Sequence, residues 1–63
     1  MSRLIVGMKV KVIDRNSPKY LKFGHITEAV IQGKKMKYFV TFDNDQSVGI
    51  FSDSQLVVVY NMI

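Results

Sequence analysis

The chain contains no cysteine and no tryptophan, and only one proline and one histidine. Without cysteine it can form neither a disulfide nor a thiolate metal site. Because His25 is the single imidazole, a metal site would have to depend on carboxylates, and we expect no metal and no cofactor. Stability must therefore come from an apolar core. A hydrophobic content of 48% in 63 residues is adequate for one small domain covering residues 1–63.

Long hydrophobic runs are also lacking. No stretch approaches the roughly 20 apolar residues that a membrane-spanning helix needs. The short run Leu4-Ile5-Val6 is interrupted at once by Gly7 and Lys9, which does not fit a signal peptide. We therefore expect a cytoplasmic protein without a membrane partner.

Positive charge is in excess, with nine lysines and arginines against five acidic residues, for a net charge of +4. For a chain this short, such a balance favours polyanionic partners, because it attracts them over long range. The alternative is that the charge serves solubility alone.

The clearest structural pattern is the alternation of apolar and polar residues between positions 37 and 51. Tyr38, Val40 and Phe42 alternate with more polar neighbours, and Val48 and Ile50 resume the alternation after an Asp-Asn-Asp-Gln turn. A period of two is typical of strands with one buried face. We predict an antiparallel hairpin in which these five side chains face the core.

The rest of the chain supplies further strands, and the prediction is an all-β fold without helices of normal length. Gly24 is expected to allow a tight entry into the second strand through a positive φ, and Gly33 to form a hairpin turn. Residues 52–55 are expected to form one 3-10 turn. The five strands are predicted at 4–13, at 25–32 with a bulge within 27–29, and at 36–42, 46–51 and 56–60.

Four segments resemble the SH3-like small β-barrel superfamily: Gly7–Ile13, Gly24–Glu28, Tyr38–Asn44 and Phe51–Val58. The parts from Val10 to Tyr20 and from Gly24 to Val30 are similar to a KOW motif, which occurs in ribosomal proteins and transcription elongation factors that contact RNA. The resemblance implies a five-stranded SH3-like barrel with one short 3-10 turn before the last strand, and a role near nucleic acid.

Catalysis is not expected from these residues. The segment 47–51 is similar to the active-site strand of the plasmid-encoded dihydrofolate reductases, but Gly49 and Phe51 stand where that family has glutamine and tyrosine. Both hydrogen-bonding groups are therefore missing. Asp43 and Asp45 are interpreted as turn residues, since a β-turn favours Asx side chains. We predict a protein that is not an enzyme.

Lysines interleaved with aromatic residues suggest contact with nucleic acid, because lysines bind phosphates and rings stack on bases. Tyr38, Phe42 and Phe23 are expected in the core, whereas Phe39 should face outward. The predicted nucleic-acid-binding residues are Lys9, Lys11, Lys19, Tyr20, Lys22, Lys34, Lys35, Lys37 and Phe39.

An alternative function is protein interaction, as a module or small regulator that binds a larger protein or another copy of itself. The run Leu56–Val59 is apolar on both faces, so it is either buried on both sides or in contact with another chain. The predicted interface residues are Phe39, Val57, Val59 and Met62. The hypothesis we favour is a binding module that acts on nucleic acid or within a nucleic-acid-handling complex.

Overall fold

The computed structural model describes residues 4–59. Within that range the chain is all-β, with no α-helix and therefore no helix that could cross a membrane. The predicted 3-10 turn before the last strand is confirmed. The elements are β1 (Lys9–Val12), β2 (Phe23–Gln32), β3 (Lys35–Phe42), β4 (Val48–Phe51), the 3-10 turn (Asp53–Gln55) and β5 (Leu56–Val58).

The strands form one five-stranded sheet in the order β4-β3-β2-β1-β5, and every neighbouring pair is antiparallel. In the described part of the chain β4 and β5 are its two edges, so the sheet is open rather than closed into a barrel. β1 is shorter than predicted, because the chain turns at Val6 and Gly7. Gly7 has a φ of 98°, a left-handed conformation that suits glycine.

The predicted bulge in β2 is confirmed by the pairing with β3. Ile26 lies opposite Val40 and Glu28 lies opposite Phe39, which leaves Thr27 as an extra residue. The extra residue shifts the facing of the strand, and Ala29 then lies opposite the buried Tyr38. The bulge therefore explains why the alternation in this segment slips.

The core lies on one face of the sheet, which we call the inner face. The rings of Phe42 and Phe51 meet edge to face, with centroids 5.8 Å apart and an interplanar angle of 81°, a geometry that aromatic pairs prefer. The buried side chains come from every strand and from the segment before β1: Leu4, Val10, Val12, Ile26, Tyr38, Val40, Phe42, Phe51 and Leu56.

The prediction that Val48 and Ile50 face the core is wrong. Their exposed fractions are 59% and 58%, whereas Phe51 is buried. In the observed register Gly49 lies opposite Val40 and Phe51 lies opposite Tyr38, so these two residues point inward. A shift of one residue reverses the facing of a whole strand, and the core gains a phenylalanine ring in place of two aliphatic side chains.

Gly24 does not have the predicted positive φ, which among the described glycines is found at Gly7 and Gly33. Gly24 instead lies inside β2, and the reason for glycine there is space. A Cβ at this position would lie 2.6 Å from the carbonyl oxygen of Thr41 and 2.7 Å from Cγ1 of Val40. The predicted Gly33 hairpin turn is present between β2 and β3, where Gly33 has a φ of 64°.

Candidate functional site

Phe23 lies on the outer face of the sheet, so its predicted place in the core is wrong. β2 begins at Phe23, and Gly24 and Ile26 are buried, which turns Phe23 outward by strand alternation. Its side chain is 43% exposed and lies opposite Lys11 of β1. An exposed aromatic ring on a regular strand is a candidate binding surface.

Two lysines flank this ring. Val10 and Val12 are buried, so Lys9 and Lys11 project from the other face of β1. Nζ of Lys9 lies 5.7 Å from the centroid of Phe23, and Nζ of Lys11 lies 5.6 Å from it. Both distances fall within the range of about 6 Å for cation–π attraction. The ring therefore lies on a regular strand with two cations near it.

The loop between β1 and β2 closes one side of this surface. The N–H of Leu21 donates to the carbonyl of Val12 at 2.8 Å, and the N–H of Val12 donates to the carbonyl of Lys22 at 3.1 Å. Leu21 is half exposed and has a φ of 67°, which is uncommon for a residue other than glycine. The result is a shallow groove of about 580 Å³, lined by Lys9, Leu21, Lys22, Phe23, Asp43 and Asn44.

Asp43 is the acidic member of the groove. Its backbone N–H donates to the carbonyl of Phe23 at 3.1 Å, which places the two residues side by side. Its carboxylate lies 3.5 Å from Nζ of Lys9 and 3.3 Å from Nδ1 of His25. These distances exceed the 2.7–2.9 Å of a strong charge-assisted hydrogen bond, and all three side chains are largely exposed. The carboxylate thus retains capacity to accept hydrogen bonds from a ligand.

Lys19 is held differently from the other lysines of the loop. Its Nζ donates to Oγ of Ser47 at 3.0 Å, lies 3.6 Å from Oδ2 of Asp45 and sits 5.1 Å from the centroid of the Phe42 ring. The Ser47 hydroxyl and backbone N–H, and to a smaller extent Lys19, lower the pKa of Asp45. Lys19 therefore ties the loop to the start of β4 over the end of the core.

The other predicted cations lie far from the groove. Lys34 and Lys35 stand at the hairpin that joins β2 to β3, whereas Phe23 begins β2. β2 has ten residues, which at about 3.3 Å per residue span roughly 30 Å. Lys37 projects outward from β3 opposite Val30, nearer to that hairpin, and Tyr20 is exposed in the loop. The predicted set is therefore divided between two ends of the sheet.

The outer face of β3 and β4 carries an apolar surface formed by Phe39, Val48 and Ile50, which we call the outer patch. Ile50 lies directly opposite Phe39, and Val48 lies opposite Thr41. No charged residue occurs in β4. Phe39 faces outward as predicted, because its neighbours Tyr38 and Val40 are buried on the inner face, and its side chain is half-buried.

The predicted protein-interface residues do not form one surface. Val57 is exposed beside Lys11, and the N–H of the half-buried Val59 donates to the carbonyl of Lys9 at 2.8 Å. Both therefore lie at the β5 edge, three strands away from Phe39 in β3. Met62 lies outside the described residues.

Phe23 and Asp43 were missed as site residues by sequence reasoning. The signal for Phe23 was present, because counting back by two from the inward Ile26 places Gly24 inward and Phe23 outward. For Asp43 the sequence gives only a turn residue, since its pairing with Phe23 depends on the register of β2 and β3. Within residues 4–59 no three histidine or acidic side chains gather closely enough to hold a metal ion.

Comparison with known proteins found no matching family model, no matching curated protein and no matching solved structure.

Proposed function

We propose that the protein binds single-stranded nucleic acid through the groove beside Phe23. One observation carries the proposal: an exposed ring on the outer face of the sheet with two lysine ammonium groups within 6 Å of its centroid. A base stacked on such a ring contributes about 1–3 kcal/mol, whatever its identity. The flanking lysines meet the phosphates on either side of the stacked base.

The charge and the architecture support the same function. The net charge of +4 favours a polyanion. Five antiparallel strands with a 3-10 turn before the last are compatible with the SH3-like barrel that the sequence resembles, and the KOW-like segment from Val10 to Tyr20 includes Lys11, whose Nζ lies beside the Phe23 ring. We propose this assignment together with the function, as a binding module rather than an enzyme.

The test is a titration of labelled DNA and RNA hexamers into the protein at several salt concentrations, followed by fluorescence anisotropy. If Lys9, Lys11 and Lys22 each neutralise one phosphate, log K against log salt should have a slope of about −2. Phe23→Leu keeps an apolar side chain but removes the ring, and it should weaken binding by about tenfold, as expected for a lost stacking contact.

A matched pair of double variants locates the site. Lys9→Ala with Lys11→Ala should remove most of the affinity, whereas Lys34→Ala with Lys35→Ala makes the same charge change at the far hairpin and should have a smaller effect. Equal losses in the two variants would show diffuse attraction rather than a groove. No binding at low salt would refute the function.

A second candidate function, self-association through β4, is favoured by the outer patch. β4 is an edge strand without charge or proline, which are the usual protections of a sheet edge against pairing with another chain. Antiparallel pairing with β4 of a second copy would extend the sheet and place two outer patches side by side. Sedimentation should then show a dimer that Ile50→Lys abolishes and that Ile31→Lys, at an exposed position in β2, preserves; a monomer at high concentration rejects the dimer.

A further inference from the structure

Resting on the proposed nucleic-acid function, we infer that the groove prefers guanine over the other bases, and that Asp43 is the residue that selects it. Phe23 provides a stacking surface but reads no base identity. Asp43 beside it is the acidic side chain among the residues that line the groove, and a carboxylate offers two oxygen acceptors side by side. A base that presents two adjacent donors on its pairing edge suits such a group best.

The backbone places the carboxylate where the edge of a stacked base would lie. The N–H of Asp43 donates to the carbonyl of Phe23 at 3.1 Å, so Phe23 at the start of β2 and Asp43 just after the end of β3 lie side by side. Nζ of Lys9 lies within 6 Å of both, at 5.7 Å from the ring centroid and 3.5 Å from Oδ2 of Asp43. Ring and carboxylate therefore border the same space.

The bases differ in what they offer to a carboxylate. Guanine presents the N1–H and N2–H donors side by side, which match the two oxygens of Asp43 as a bidentate pair. Adenine and cytosine each present one amino group next to a ring nitrogen that repels the carboxylate, and thymine and uracil present a single N–H between two carbonyls. Sequence-specific recognition of single strands commonly uses these edges together with stacking.

The neighbours of Asp43 make this arrangement compatible with a polyanion. Nζ of Lys9 lies 3.5 Å from Oδ2 and partly neutralises the negative charge, and Nδ1 of His25 lies 3.3 Å from Oδ1, while the lone pairs of the carboxylate are not saturated. Asn44 follows Asp43 in the same groove and carries an amide donor of the type that O6 of guanine accepts. Guanine thus finds both acceptors and a donor near the ring.

The experiment compares thymine hexamers that carry a single central guanine, inosine, adenine or cytosine with the all-thymine hexamer, at low salt and by anisotropy. The guanine hexamer should bind about five- to tenfold more tightly than the adenine, cytosine and all-thymine hexamers, in line with one bidentate contact. Inosine lacks the N2 amino group and should fall between guanine and thymine. This series uses the unaltered protein, so it does not depend on the folding of a variant.

Two variants assign the preference to its residue. Asp43→Asn replaces one acceptor oxygen by a donor, and it should abolish the preference and raise the affinity for the all-thymine hexamer, because one negative charge is lost. Asp53→Asn makes the same charge change in the 3-10 turn and should retain the preference. Equal binding of all hexamers overturns the inference but not the proposed function. Absence of all binding overturns both, and a preference that survives in Asp43→Asn overturns the assignment to Asp43.

Discussion

The two halves of the outer face differ in chemistry although they belong to one sheet and follow one alternation. Around β1 and the start of β2, an exposed ring lies within 6 Å of the ammonium groups of Lys9 and Lys11. On β3 and β4, the outer patch presents Phe39, Val48 and Ile50, and β4 has no charge at all. Among the described residues, the side chains buried on the inner face are all apolar. The fold therefore sets the positions, and the outward side chains alone decide what each half can bind.

The difference also concerns how exposed apolar surface is tolerated. Phe23 is exposed beside a lysine ammonium group within cation–π distance of its ring. This arrangement fits the proposed binding of a polyanion. Val48 and Ile50 are exposed on β4, which is an edge of the sheet in residues 4–59 and has no charged residue. Uncharged apolar edges favour pairing with another chain. This difference is the basis of the two proposals, nucleic acid for the first half and a second copy of the chain for the second.

The largest expected effect is a loss of stability when alanine replaces the glycine of β2, Gly24, and the same change in β4 provides the comparison. Gly24→Ala places a Cβ 2.6 Å from the backbone oxygen of Thr41, which cannot move without disturbing β3. We expect the free energy of unfolding to fall by about 1–3 kcal/mol, as for other overpacked sites. Urea unfolding followed by circular dichroism measures it.

The matched variant is Gly49→Ala in β4. Its added Cβ would lie 2.7 Å from Cε2 of Phe51, which is the end of a side chain that can shift. We expect a smaller loss than for Gly24→Ala, because a side-chain ring can move aside with less disturbance than a backbone carbonyl. A loss as large as that of Gly24→Ala would contradict the comparison and show that the Phe51 ring is as fixed as the backbone.

A smaller effect is expected from the left-handed residue of the groove. Leu21 has a φ of 67°, which a leucine adopts at a cost, and asparagine tolerates this region better. Leu21→Asn should raise the free energy of unfolding by up to about 1 kcal/mol and weaken oligonucleotide binding, because an exposed leucine at the groove is lost. Gln46→Asn, at a φ of 61° outside the groove, should raise stability without changing affinity. Lower stability in Leu21→Asn would instead assign its side chain to packing.

The sequence predicted the strand order along the chain, the bulge near Thr27 and the inward Tyr38, Val40 and Phe42, because each is encoded by a local period of two or by its interruption. It did not predict the facing of β4. A period of two in β4 allows either Val48 and Ile50 or Gly49 and Phe51 to face the core. Which pair does so depends on how the turn at residues 43–47 sets the register of β4 with β3.

The candidate site was predictable only in part for the same reason. Lys9 and Lys11 follow from the alternation of β1. The contact of Phe23 with Asp43 joins two segments 20 positions apart, since it depends on the pairing of β2 with β3. The role of Lys19 over Phe42 depends on a loop that folds back across the sheet, which no periodicity describes.

The smallest expected effect is on the stability of the fold at low pH. It concerns the contacts of Lys19, Asp45 and Ser47, which join the loop after β1 to the start of β4. The hydroxyl and N–H of Ser47 lower the pKa of Asp45 below its ordinary value of 3.8, with a further contribution from Lys19. A carboxyl group whose pKa is lower in the folded state stabilises the fold above the unfolded pKa, and this contribution disappears as the pH falls through the folded pKa.

The free energy of unfolding, measured in urea between pH 7 and pH 2, should therefore decline below about pH 4, and the decline should be shallower in Asp45→Asn than in the unaltered protein. Asp53→Asn, with the same charge change in the 3-10 turn, should retain the steeper decline. Parallel curves for Asp45→Asn and the unaltered protein would mean that the Lys19–Asp45–Ser47 contacts do not hold the loop to β4 in solution, and that the two halves of the outer face are independent of this link.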